Sequence, residues 1–218
     1  MVGDRIQIHA EQRAQAEEIA AHLLASAFAK SGRHSMTVAG ESGSGKSTMA
    51  AAIAEAFEQR GKRCVILQQD DYYLLPPMTN DRERRNHADW RGVKEVRLDF
   101  LDQQMQAILD GAEDIVKPVS VYAEDCFKQE HLSTRDVAIV IVEGSFVSLL
   151  QHAHVRVFID RTYIDTRAFR EQRARDAAEL DTFTESILQI EHEIISAHKP
   201  LADIIVTKEG KIAYQQAS

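Results

Sequence analysis

The sequence predicts an α/β fold, a mainly parallel five-stranded sheet covered by helices on both faces and carrying a small Arg-rich lid, on the strength of three observations. Short apolar, β-branched runs alternate with stretches of helical periodicity. A glycine-rich stretch, residues 40–48, stands between the first such run and the helix that follows it. Several apolar runs end in an acidic residue, Asp70, Glu143 or Asp160, which is where a parallel sheet gathers its ligand-binding groups. At 218 residues the chain suits one such domain with a sizeable core.

The elements follow in order. Residues 4–30 have a helical stripe of Ile19, Leu23, Leu24 and Phe28 between charged faces, with Gly32 as a stop signal, and this N-terminal helix (region 1–32) is expected against the sheet edge. Residues 36–39 read as a short buried strand, and residues 47–60 as a helix with Ala50, Ile53, Ala54 and Phe57 on one face. Gly61 caps that helix, and residues 63–68 form a second strand running into Asp70. Residues 71–97 read as an irregular functional loop, with Pro76, Pro77 and Asn80 as turn formers and a cluster of Arg82, Arg84 and Arg85. Helical spacing returns over 98–109 through Leu101, Met105 and Ile108. Strands are predicted at 137–142, the most apolar run, at 155–159 and at 202–206. Between the last two lie an arginine-crowded helix at 167–175, within a lid region 162–182, and a further helix at 183–198. Residues 208–211 turn the tail into a hairpin.

Residues 40–48 read Gly-Glu-Ser-Gly-Ser-Gly-Lys-Ser-Thr and match the phosphate-loop pattern G-x-x-x-x-G-K-[ST] at every fixed position, in strand, loop, helix context. Gly40, Gly43 and Gly45 let backbone N–H groups, with those of Ser42, Ser44 and Thr48, curl around phosphate oxygens. Lys46 is placed to reach the β- and γ-phosphates of a nucleoside triphosphate, and the Ser47 hydroxyl to ligate Mg²⁺ at the positive end of the helix dipole.

The formal charge of −8 argues against nucleic acid or an anionic membrane as partner, since both need clustered positive charge. Two cysteines, one in a strand (Cys64) and one in a loop (Cys126), make neither a disulfide framework nor a zinc-ligand pattern and point to reduced thiols in a cytosol. With no secretory-type apolar segment at the start and no apolar run of bilayer length, a cytoplasmic protein is expected. The oligomeric state stays open, a homo-oligomer included.

Three constellations bear on what happens to the phosphate. In Gln69-Asp70-Asp71-Tyr72-Tyr73, Asp70 is placed to accept a hydroxyl proton, the alternative being that both aspartates cap a turn and the tyrosines pack. Glu143, before Gly144 at the end of the apolar strand, resembles a Walker B carboxylate that shares a metal with Ser47 or holds a metal-bound water; otherwise it caps a helix. Arg167 and Arg170 share a helix face that Arg173 joins or leaves for solvent, so they either form a closing lid that neutralises charge on the transferring phosphoryl group or a solvated face.

Together these segments resemble the uridine kinase and phosphoribulokinase family of P-loop small-molecule kinases over residues 36–206. The resemblance rests on the phosphate loop, the Asp70-Asp71-Tyr72-Tyr73 motif, Glu143-Gly144, the strand ending at Asp160 before an Arg-rich lid that ends Arg175-Asp176, and Ala202-Asp203-Ile204-Ile205-Val206. It implies an ATP- and Mg²⁺-dependent kinase acting on a hydroxyl of a small metabolite, with Asp70 as catalytic base, Lys46, Arg167 and Arg170 around the transferring group, and Arg173 at the nucleotide. For the acceptor it implies Tyr73, Asp89, Arg91, Tyr122 and Phe127. This side departs from the uridine kinases: Asp89-Trp90-Arg91-Gly92 stands for Asp-His-Pro, and Phe127 takes the place of a histidine. A sugar, sugar phosphate or hydroxy acid is therefore an alternative acceptor to a nucleoside, with Arg91 and the Arg82 to Arg85 cluster as binders of an anion or as solvated loop charge. A regulatory or hydrolytic nucleotide-binding module is the alternative of another class.

Overall fold

The protein is described by a computed structural model that covers residues 7–173 and 182–215. Its main sheet is built around a core of parallel strands. β1 (His34–Gly40) lies between β5 (Ile139–Gly144) and β6 (Val155–Ile159), with β2 (Cys64–Gln68) beyond β5 and β7 (Ile204–Val206) beyond β6, all parallel. These are the five strands expected. A sixth, β8 (Ile212–Tyr214), returns antiparallel along β7 through the anticipated tail hairpin, so the sheet has six strands rather than five.

Alternation along the strands feeds two cores, because successive side chains point to opposite faces. Met36 and Val38, Ile139 and Ile141, and Val155 and Val157 face α1 (Ala10–Ala25) and α2 (Lys46–Glu58). Val65 and Leu67, Val140 and Val142, and Phe158 and Ile205 face the other way, toward α4 (Leu98–Leu109) and α6 (Thr182–Ser196), where Leu101, Met105, Ile108 and Ile195 are buried. Helices thus cover both faces, and every residue of β5 is buried.

Local differences from expectation have identifiable causes. α1 stops at Ala25, where the Ser26 hydroxyl donates to the His22 carbonyl and the chain folds back to set Phe28 against Phe57 and His34. It lies on α2 and reaches the β7–β8 turn through Gln15 Nε2, which donates to the Gly210 carbonyl at 2.9 Å. The supposedly irregular 71–97 contains a ten-residue helix, α3 (Pro77–Asn86). Pro77 opens it, as proline does at a first helical position. Its cap comes from far away: Asp125 accepts from the amides of Met78 and Thr79 at 2.8 and 3.1 Å and from the Thr79 hydroxyl at 2.7 Å.

Asp125 sits at the tip of a second unexpected feature, the antiparallel pair β3 (Asp114–Val121) and β4 (Cys126–Ser133). Cys126 therefore lies in a strand, not a loop. The pattern hides this hairpin because Lys117 and Pro118 interrupt β3 and most of β4 faces solvent. The Arg-rich α5 (Arg167–Arg173) is as expected, while Arg175 and Asp176 fall outside the described residues. Among the described residues no helix is long and apolar enough to cross a membrane.

Candidate active site

The carboxyl ends of β1, β2, β5 and β6 converge. Gly40 pairs with Ile159, Ala39 with Gly144 and Gln68 with Glu143, so the phosphate loop, Asp70, Glu143 and Asp160 share one edge of the sheet. The loop leaves β1 at Gly40 and enters α2 through Gly45, whose left-handed φ of 97° starts the helix. As in any helix, the first-turn amides of Lys46, Ser47 and Thr48 have no acceptor within the helix, so they are available to an anion. The Ser44 hydroxyl is buried without a partner among the described residues. Gly43, at φ 75°, leaves room for the Arg170 Cγ and the Thr166 hydroxyl, which a Cβ would meet at 2.9 and 3.2 Å.

The fit to a metal–nucleotide complex is direct. Ser47 Oγ donates to Glu143 Oε1 at 2.9 Å, which brings two hard oxygen atoms together beside the loop. Mg²⁺ prefers such a sparse oxygen set completed by phosphate and water, and among the described residues no group of three or more acidic, histidine or cysteine side chains competes for it. Lys46 Nζ donates to the Glu41 carbonyl at 3.0 Å and so extends back over the loop. Burial raises the Glu143 pKa, and Asp70 adds to the rise, against the opposing Lys46 charge and Ser47 hydrogen bond.

A carboxyl group whose folded pKa is raised contributes stability that is fully present below its unfolded value and is lost as pH rises through the folded value. Glu143→Gln is therefore expected to raise the thermal midpoint of the metal-free protein at pH 8 and to leave it nearly unchanged at pH 4, while abolishing metal-dependent turnover. Melting curves in chelator at both pH values check this.

The adjacent aspartates have opposite environments. Asp70 is exposed just beyond the end of β2. Asp71 is buried, accepting from Lys117 Nζ at 2.7 Å and from the Ser120 amide at 2.9 Å, and thereby fixes β3 to the end of β2. Tyr72 is likewise structural, its hydroxyl donating to Gln104 Oε1. The preceding Gln69 is held by the Phe146 amide, which donates to its Oε1 at 2.7 Å. A Cβ on Gly144 would overlap the Gln69 Cβ. Gly144→Ala is expected to cost about 1–3 kcal/mol, the usual range for overpacking, and to lower turnover by displacing Asp70. Chemical denaturation and steady-state rates measure the two effects.

On the acceptor side, Tyr73 lies beneath Arg84, whose guanidinium carbon is 5.8 Å from the ring centre, and burial pushes the phenol pKa up. Arg91 donates to the Arg84 carbonyl and stacks on Phe183 at 5.1 Å, and Asp89 is exposed in a short turn. Phe127 pairs across the hairpin with Ser120, one bond from the Asp71 anchor, and Tyr122 is half-buried at the hairpin turn.

The lid arginines separate. Arg170 is buried over the phosphate loop, bonded to Glu185 at 3.1 Å and to the Tyr163 carbonyl at 3.0 Å. Arg167 is exposed and paired with Glu171 one turn on, so in this conformation it takes the solvated alternative rather than facing the loop. The Arg173 side chain lies outside the described residues.

Three groups escaped the sequence reading. Glu41, a variable position of the loop motif, accepts from the Tyr163 amide at 2.6 Å and pairs with His192 Nδ1 at 2.7 Å, tying the loop to the lid and to α6. Nothing local marks it. Glu191, next to His192, carries a visible signal: it falls at helical spacing among the buried Ile187, Leu188 and Ile195. Gln69 was eclipsed by the aspartates after it.

Residues 36–207 match the Phosphoribulokinase / Uridine kinase family. The chain is 27% identical over 205 residues to the "Bifunctional alpha-galactosidase/sucrose kinase AgaSK" of Mediterraneibacter gnavus, a match covering 83% of this chain but 20% of that much longer protein. It is 30% identical over 191 residues to a uridine kinase of Ligilactobacillus salivarius, covering 80% of this chain and 84% of the relative. A solved "Possible Uridine Kinase from Bacillus stearothermophilus" shares the fold with a TM-score of 0.64 at 18% identity, over 89% of this chain and 98% of that one. The phosphate loop, the strand-end carboxylates around it and a family match over most of the sequence lead to one conclusion: the chain belongs to the phosphoribulokinase/uridine kinase family of P-loop small-molecule kinases.

Proposed function

We propose that the protein transfers the γ-phosphoryl group of ATP, as its Mg²⁺ complex, to a hydroxyl of a small metabolite, with Asp70 as the base. One observation carries this reading: an exposed Asp70 at the end of β2, beside the Ser47–Glu143 pair and the phosphate loop. The loop amides and Lys46 would hold the phosphates, and Ser47 and Glu143 the Mg²⁺. The metal neutralises phosphate charge when bound. Asp70 then accepts the proton of an acceptor hydroxyl as its oxygen attacks phosphorus in line, and the nucleoside diphosphate leaves. Arg170 over the loop supports the lid, its charge tempered by Glu185. Cys64 takes no part, since burial, aided by Glu58, pushes its thiol up to about 12. With Cys126 it makes a pair of free thiols, consistent with a cytoplasmic setting.

The test is ADP formation with ATP and Mg²⁺ across nucleosides, sugars, sugar phosphates and hydroxy acids, with an acceptor-free control. Turnover stimulated by one acceptor class is expected. Nucleotide binding with hydrolysis that no acceptor stimulates would favour a regulatory or hydrolytic module instead.

A further inference from the structure

Glu191 occupies a core position on α6 yet is only partly compensated. Its Oε1 accepts from Arg84 Nη2 at 3.3 Å, and its Oε2 takes no hydrogen bond from the described residues. Arg84 is shared with Glu95, whose carboxylate is fully engaged: Oε1 accepts from the Gly92 amide at 2.6 Å, and Oε2 from Asn80 Nδ2 at 2.6 Å and from Arg84 Nε. Asn80 is in turn fixed by Trp90 Nε1 at 2.8 Å. Glu95 thus holds Arg84 in place, and Glu191 is left as a carboxylate with spare accepting capacity. The His192–Glu41 bond pins the next residue to the phosphate loop and so holds this turn of α6 close to it. There Glu191 faces Lys46 and Asp70 besides Arg84 and Glu95; burial is the largest influence on its pKa and raises it.

The arginines of the 82–91 segment are held by other groups. Arg85 pairs with Asp81 and lies over Phe183 at 4.4 Å, Arg91 stacks on the same ring, and Arg82 faces Asp125 at 3.4 Å. A negatively charged acceptor entering beside Asp70 would meet two carboxylates, while the nearest guanidinium, that of Arg84, is already shared between Glu95 and Glu191 and Lys46 is given to the nucleotide phosphates. A neutral polyol has hydroxyl donors for both, and hydrogen bonds to ionised acceptors are the strong ones.

We propose that Glu191 binds the acceptor and, together with Asp70, selects a neutral, hydroxyl-rich molecule such as a sugar or nucleoside over a sugar phosphate or hydroxy acid; this rests on the kinase reading above. The experiment compares wild type, Glu191→Gln and Glu191→Ala with sucrose, fructose, uridine, fructose 6-phosphate and glycerate, and measures ATP affinity by calorimetry alongside. Wild type is expected to turn over a neutral acceptor. Its KM should rise roughly 10- to 100-fold in Glu191→Ala, the worth of one hydrogen bond to a charged group, and less in Glu191→Gln, whose amide oxygen still accepts. ATP affinity should be unchanged in both, which a general loss of structure would not allow, and the isosteric Gln variant reports even where Ala does not fold. Preferred turnover of fructose 6-phosphate or glycerate, or an unchanged acceptor KM in both variants, would overturn this proposal alone. Absence of acceptor-stimulated ADP formation in wild type would overturn the kinase reading and this proposal with it.

Discussion

Asp70→Asn is expected to slow phosphoryl transfer by roughly 10²- to 10⁴-fold, the usual contribution of a positioned general base, while nucleotide affinity stays within about threefold. The change is isosteric and falls on an exposed side chain whose carboxylate takes no hydrogen bond from the described residues, so the fold has little to lose. The position of Asp70 is set by its neighbours: Gln69 is locked to the Phe146 amide and Asp71 to Lys117 and Ser120. That bracketing gives the carboxylate a fixed place at the strand end without consuming its basicity. Single-turnover rates and equilibrium nucleotide binding separate the two quantities. Turnover equal to wild type would remove Asp70 from the chemistry.

Lys117→Met is expected to have the largest effect on stability, a loss of about 3–5 kcal/mol, because removing one member of a buried ion pair strands the other. The Lys117 ammonium lies 2.7 Å from Asp71, and their side chains retain 9% and 3% exposure, so water cannot substitute for the lost cation. At about 2–4 °C per kcal/mol for a protein of this size, the thermal midpoint should drop on the order of 10 °C. Asp71 would keep only the Ser120 amide, and the hairpin would loosen from β2. Adding Asp71→Asn should restore part of the loss, since the stranded charge is then gone. A double-mutant cycle by chemical denaturation measures this coupling. Additive losses would mean that the pair contributes nothing as a pair.

The two aspartates illustrate how much the sequence made legible. Asp70 stays exposed, as a candidate base requires, whereas Asp71 caps no turn and instead anchors the hairpin through Lys117 and Ser120. The pair lies in a short 3₁₀ turn just beyond β2 (Gln69–Tyr72), where no local pattern says which side chain turns inward, and choosing required Lys117, which lies 46 residues away in a hairpin that no periodicity announced. The core strands and most helices were readable because their apolar spacing is local. α3 was not, because its cap, Asp125, is supplied across space and its surface is polar with only Asn80 buried. For the site, the glycine loop with Lys46 and Ser47 stood out by motif spacing and Glu143 by its place at a strand end, and the structure sets the Ser47 hydroxyl 2.9 Å from Glu143. Glu41 and His192 were not, since a pair 151 residues apart leaves no local trace. The arginines were only partly legible: the lid face and the Arg82 to Arg85 cluster each left anion binding and solvated charge open, whereas Arg170 and Arg84 are drawn inward to Glu185 and to Glu95 and Glu191.

The central claim is transfer to an alcohol rather than to water, and the most direct measurement is the phosphorus balance of the reaction. Phosphorus NMR of wild type with ATP, Mg²⁺ and a neutral sugar or nucleoside follows every product at once. The account predicts one phosphomonoester of the acceptor for each ADP formed, with little inorganic phosphate, and loss of that ester signal in Asp70→Asn. Inorganic phosphate in step with ADP, and no ester with any acceptor class, would contradict it.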